Sequence, residues 1–362
     1  GRWGSLKVSG AISPKRAKET ALLGLGAVTL TLGAAAVLLL LGGYDPTKAA
    51  AAMLRGSVGS WNTFVSITLV RAVPLLFAGL AVALAFRAGV WNIGAEGQLY
   101  VGAVAGVWVA LTFTDLPGPF LITAALTASI VAGGVWALVP TLMKLRLGIG
   151  EVITTILMNF VGIYLAAWMV HGPLQERRGV FPQTDRIVDA ARLPELISGT
   201  RLHLGFALAL VLAGVLAFVL KRTRFGFHLR AVGASPAAAA AAGRIDPNRV
   251  ILFTFLASGA IAGLAGGVEV TGLTYALYED LSDGWGYTAI AVALLGGLRP
   301  GGVVVTAIFF GALHAGAGAM QRDAGIPAAW VDVVEALVIL AVLGLDRIRA
   351  ARAGYHRGEE AQ

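Results

Sequence analysis

Long runs of apolar residues with almost no charge constrain this chain more than any other feature. A helix needs roughly 20 apolar residues to cross the hydrocarbon of a bilayer. Ten stretches approach or exceed that length: 20–44, 63–86, 98–115, 119–142, 150–171, 203–220, 250–271, 285–298, 302–319 and 327–345. The eighth is too short to cross alone. The second contains Arg71 and Pro74, which predict a broken or re-entrant segment. The fold class expected is all-α: a polytopic transmembrane bundle of about ten spanning or re-entrant segments. Hydrophobic residues make up 57% of the chain and charged residues 13%, about half the charged share of a soluble domain. Only a surface facing lipid relieves that shortage of polar side chains.

Charge distribution sets the topology. The net charge of +8 is concentrated in short loops and at the termini, as the positive-inside rule requires. It forms no basic face with interleaved aromatics, so no nucleic acid is expected. Lys15, Arg16 and Lys18 precede the first segment, and Arg347, Arg349, Arg352 and Arg357 follow the last. With ten spans, both termini lie inside. Lys144, Arg146 and the basic loop 221–249 then also fall inside, and Glu279, Asp280 and Asp283 fall outside. Three parts follow: a cytoplasmic segment 1–19, a membrane domain 20–345 and a cytoplasmic tail 346–362. Segments 63–115 and 250–319 share an order of long apolar helix, polar interruption and short apolar helix, a faint internal repeat. The chain has no cysteine, which excludes disulfides, cysteine zinc sites and thiol chemistry.

Three features stand out against this apolar background. The first is Phe86-Arg87-Ala88-Gly89-Val90-Trp91-Asn92-Ile93-Gly94-Ala95-Glu96-Gly97-Gln98. Its glycines free the backbone from the helix, and irregular backbone at membrane depth must be buried in protein or line a cavity. Trp91, Asn92, Glu96 and Gln98 are therefore candidates for the pathway of a polar solute. The alternative is a cytoplasmic turn. The second feature is Glu151, Thr155 and Asn159, spaced to form one polar stripe on a helix. Thr155 and Asn159 either line the pathway or join helices by hydrogen bonds, and Glu151 is expected to be structural. The third is isolated intramembrane charge. Glu269 follows a small-residue run beginning at Ser258 that suits close helix packing, and Arg71 is its candidate partner. His314 reads as a packing histidine. Trp91, Tyr100, Trp108, Phe160 and Tyr164 are aromatics that either stack on a solute or pack and anchor the bundle.

The loop 221–249 contains its own short helix. Ser235 suits an N-cap and Pro236 the first helical position. Alanines 237–242 favour helix, and Gly243 suits the stop. So short a helix gains stability by docking on something else.

The stretch Arg71–Ala103 resembles the permeases of bacterial nucleoside and simple-sugar ABC importers, in the branched-chain permease superfamily. Two further stretches carry the resemblance: Gly150–Asn159, where the family usually has Asn in place of Gly150, and Gly286–Pro300. Trp91 stands where the family usually has Phe. The form of the 86–98 motif is closest to the longer of two nucleoside permeases that often pair. The likeness implies a transport subunit with no ATPase site of its own, in keeping with the lack of a GxxxxGK[ST] loop. It implies two ATPase subunits that bind the ATP, a homologous second permease or second copy, an extracytoplasmic solute-binding lipoprotein, and a place in the bacterial cell membrane. It gives the loop helix the role of a coupling helix, with Arg230, Gly233, Ser235, Pro236 and Gly243 at the ATPase interface. No metal and no cofactor of the chain itself are expected. The cargo implied is a nucleoside, with a simple sugar as the alternative. An ion-coupled secondary transporter using Glu269, Glu151 or His314 is a further alternative, and it leaves the capped helix of the basic loop without a purpose.

Overall fold

The computed structural model describes residues 33–241 and 245–327, together with residues 329, 330, 332, 333, 336, 337 and 340. They fall into two compact units: residues from the first 52 positions with those from 320 onward, and Met53–Ala319. In the first unit, residues 33–41 are helical, and the Tyr44 and Trp330 rings meet edge to face at 6.0 Å. Helix α1, Pro46–Val58, starts there. The Asp45 carboxylate caps it by accepting from Thr47 N at 2.9 Å.

The second unit holds the rest of the bundle: α2 (Trp61–Arg87), α3 (Ala95–Thr112), α4 (Gly118–Leu147), α5 (Glu151–His171), α6 (Leu204–Arg222), α7 (Arg224–Ala234), α8 (Pro236–Ala241), α9 (Pro247–Thr274), α10 (Trp285–Leu295) and α11, Pro300–Ala324, which ends in the first unit. Six of these are long and apolar enough to cross a membrane: α2, α4, α5, α6, α9 and α11. The third expected segment is α3, with Glu96 and Gln98 in its opening turns, and the eighth is the 11-residue α10. Most of the first and tenth expected segments lie outside the described residues. No strand occurs among the described residues; two isolated antiparallel bridges are the only β pairing there.

Burial sorts the helices into a centre and a shell. Within the most apolar window of each, 83% of α2 and 61% of α9 is buried, against 22% of α4 and 28% of both α5 and α6. Helix α9 packs on α2, α3 and α4, and α10 packs on α2. Glycine permits this closeness. A Cβ at Gly263 would collide with the Ser129 carbonyl of α4, and one at Gly266 with the Leu99 carbonyl of α3. The run after Ser258 thus forms the tight helix contact its small residues predict.

The expected break in the second segment does not occur. Helix α2 is continuous, and Pro74 lies inside it. A π-helical stretch, Phe64–Leu69, precedes α-helical register from Val70 onward. Such local widening is how membrane helices accommodate a proline's lost hydrogen bond. Ser60 caps the start by accepting from Thr63 N at 3.0 Å. A second π stretch, Val270–Thr274, ends α9. The two arms of the faint repeat therefore share element order, but their π stretches fall at opposite ends.

The connection 172–202 is fastened to the end of α9 and the segment after it. Thr184 N donates to Leu277 O at 3.0 Å, Ile187 N to Tyr275 O at 2.9 Å and Leu193 N to Thr271 O at 2.8 Å. Arg192 lies over the Tyr275 ring at 4.6 Å and pairs with Asp189 at 2.7 Å.

Candidate functional site

Helix α2 stops because Gly89 adopts a left-handed conformation, φ +74°. Val90 N turns back to Ala85 O at 3.2 Å, a closure typical of a glycine C-cap. The chain then runs without helix until α3 begins at Ala95, although Ala88, Val90 and Asn92 are buried. A buried non-helical backbone needs partners for its amides and carbonyls. Asn92 itself and side chains of α5 supply them.

From within, Asn92 Oδ1 accepts from Gly94 N at 3.0 Å. Its Nδ2 donates to Gln98 Oε1 at 3.0 Å and to Ser258 Oγ on α9 at 2.9 Å, while Gln98 Nε2 donates back to Asn92 Oδ1 at 3.2 Å. Ser258 Oγ in turn donates to Ala81 O of α2 at 2.8 Å. Helix α5 supplies the second set. Asn159 Nδ2 donates to Ile93 O at 2.8 Å, and its Oδ1 accepts from Gly97 N at 2.8 Å. Glu151 Oε1 accepts from Trp91 N at 3.3 Å, and its other oxygen pairs with Lys144 of α4 at 2.6 Å. On α10, Gly286 N donates to Glu96 Oε2 at 2.5 Å. That places an acid at a helix N-terminus, where the dipole favours it.

The polar stripe of α5 therefore faces the α2–α3 connection along its whole length. Thr155 is the exception in its bonding: its hydroxyl donates to Glu151 O of its own helix at 2.7 Å. Asn92, Glu96, Gln98, Thr155 and Asn159 are all 2% exposed or less. In this conformation all five are enclosed by protein groups. Trp91 differs. It is 50% exposed, with its ring 4.6 Å from Phe86.

Glu269 is buried, whereas Arg71 is exposed. Among the described residues no ion pair joins them; Arg71 acts on Glu269 only as a nearby charge, together with Arg201 and Asp283. The expected salt bridge is thus a longer-range relationship. Tyr100, an expected stacking candidate, accepts from Ser282 N at 3.1 Å. Trp108, Phe160 and Tyr164 are exposed on the outer surface of the bundle. Lys144 and Ser258 complete the network without having been singled out for it. A serine amid the small residues of an apolar span was the available signal for Ser258.

The basic loop meets this connection directly. Thr223 caps α7 by accepting from Gly226 N at 3.1 Å, and Ser235 caps α8 by accepting from Ala238 N at 3.2 Å. Helix α7 was not foreseen. Its Leu229 and Val232 are buried while Arg230 and Phe227 are exposed. A Cβ on Gly233 would strike the Arg87 carbonyl, and Gly89 packs back on Gly233. The end of α7 thus rests on the turn that opens the clamped connection. Pro236 is exposed at the start of α8; Gly243 lies outside the described residues.

These features define a multi-pass membrane protein with a polar-bonded break at its core. Residues 64–343 match the family of the branched-chain amino acid transport system permease component, and the chain belongs to that family. It is 37% identical to the guanosine ABC transporter permease protein NupP of Bacillus subtilis, over 89% of this chain and 93% of that one. It is also 37% identical to the glucose ABC transporter permease protein TsgB13 of Haloferax volcanii, over 88% and 86%. The nucleoside ABC transporter permease protein NupB of Lactococcus lactis is 31% identical, over 84% and 85%.

Proposed function

We propose that this chain is the membrane-spanning permease subunit of an ABC importer that carries nucleosides across a bacterial cell membrane, with both termini cytoplasmic. The observation that carries the coupling part of this reading is the seating of Gly233 on Arg87, which links the basic loop to the α2–α3 connection. Two separate ATPase subunits bind and hydrolyse the ATP. The loop with α7 and α8 docks on them through Arg230, Gly233, Ser235, Pro236 and Gly243, the α8 end acting as the coupling helix. A homologous permease or a second copy completes the pore, and an extracytoplasmic solute-binding lipoprotein delivers the cargo. About ten spanning or re-entrant segments make up this subunit when its two ends are included. Alternating access then moves solute past the break, where Trp91 presents an aromatic face and the buried amides hold the break in shape.

A simple-sugar cargo is the second reading, favoured by the likeness to TsgB13. Competition separates the two. In vesicles carrying the assembled transporter, uptake of labelled guanosine should be suppressed by unlabelled nucleosides and unaffected by glucose. Suppression by glucose alone would move the cargo to the sugar class.

A further inference from the structure

Every residue of α2 from Ala72 to Ala85 is buried, and Arg71, just before them, is exposed. Ile67, one turn earlier, is exposed on the same side. At 1.5 Å per residue, Arg71 lies about 15 Å along the axis from Trp61 and about 24 Å from Arg87. It is therefore well inside the membrane. Its guanidinium makes no hydrogen bond or ion pair among the described residues. A guanidinium keeps its proton at any physiological pH, and turning it towards hydrocarbon is costly. The faces that α4, α5 and α6 expose carry Val131, Val135, Leu157, Val161, Val211 and Val215, as a lipid-facing surface should. The Arg71 face of α2 has a different character.

We propose that Arg71 faces the aqueous translocation path and donates hydrogen bonds to oxygen atoms of an uncharged solute. This deepens the nucleoside reading and rests on it for the choice of solute. Hydroxyls and ring carbonyls suit the fork of donors that a guanidinium offers.

The absence of cysteine from the chain makes the test direct. Arg71→Cys, Ile67→Cys and Val161→Cys are placed singly in the assembled transporter and exposed in vesicles to a charged, membrane-impermeant thiosulfonate or a lipophilic maleimide. The charged reagent should modify Arg71→Cys at least tenfold faster than Val161→Cys, and saturating guanosine should slow it severalfold. If Arg71→Cys fails to assemble, Ile67→Cys is read in its place. Modification by the lipophilic reagent alone, or by neither, overturns the assignment. Labelling that guanosine leaves unchanged, in vesicles whose wild-type complex transports guanosine, overturns the solute contact. A wild type that moves no nucleoside while Arg71→Cys still reacts with the charged reagent removes the nucleoside cargo and supports the path-facing position. Arg71→Lys, which keeps the charge and loses the fork, should raise the KM of guanosine uptake roughly tenfold with the maximal rate retained; an unchanged KM contradicts the hydrogen-bonding role.

Discussion

Asn159 bonds to both sides of one interruption: its amide nitrogen donates to Ile93 O, before α3, and its oxygen accepts from Gly97 N, inside α3, each at 2.8 Å. A single side chain thus satisfies a carbonyl and an amide that the missing helix leaves open. Asn159→Leu strands both groups in a buried site, at a cost of roughly 1–3 kcal/mol for each. Asn159→Asp keeps the acceptor for Gly97 N and loses the donor. Thermal unfolding in detergent should rank wild type above Asn159→Asp and Asn159→Asp above Asn159→Leu. Equal melting temperatures would mean that the clamp contributes nothing to stability.

The Lys144–Glu151 pair closes the same clamp at the α4–α5 corner. Its side chains are 27% and 10% exposed, so solvent weakens the attraction and about 1 kcal/mol is expected. Glu151→Gln retains an acceptor for Trp91 N and should cost less than Glu151→Ala. A double-mutant cycle with Lys144→Met isolates the ionic part, and a coupling energy indistinguishable from zero would reduce Glu151 to its bond with Trp91.

Gly233 has no room for a side chain. In Gly233→Ala the new methyl group must displace α7 from the Arg87 carbonyl. Solute-stimulated ATPase of the assembled complex should fall at least tenfold, with the amount of permease in the membrane unchanged. Val211→Leu, on the exposed face of α6, should leave it unaltered. Full coupling in Gly233→Ala would break the proposed link between the basic loop and the α2–α3 connection.

His203 makes stability depend on pH. It caps α6 by accepting from Gly205 N at Nδ1, 3.2 Å, and burial pushes it down to about 4. The unfolded chain takes up this proton near pH 6.5 and the folded chain only near 4. Its contribution is therefore fully present above pH 6.5 and is lost as pH falls from 6.5 towards 4, by roughly 3 kcal/mol in all. The melting temperature at pH 5 should lie below that at pH 7.5. His203→Asn retains a cap acceptor and should flatten the difference; an undiminished difference would assign the pH dependence to other groups.

Much of this was legible because hydrocarbon permits few solutions. The apolar runs that became α4, α5, α6 and α9 could only be helices. The Ser235 cap and the turn at Gly89 were readable because each rests on local chemistry. The continuity of α2 was not, since Pro74 signals a break unless the backbone widens ahead of it, and hydropathy is blind to that. Nor was the fate of Asn92 and Asn159 decided by spacing. The stripe on α5 fits a water-filled path and a buried neighbour equally well, and only the position of the 88–94 backbone chooses. Ser258 bonds to Asn92 and Ala81, 166 and 177 positions away, a relationship no local pattern encodes.

In the proposed function a separate ATPase drives this subunit. The most direct measurement is guanosine uptake into sealed proteoliposomes holding the complete complex, with ATP supplied on the ATPase side. Accumulation should require hydrolysable ATP and persist when an uncoupler dissipates the ion gradients. Accumulation by the permease without the ATPase subunits, abolished by the uncoupler, would contradict the account.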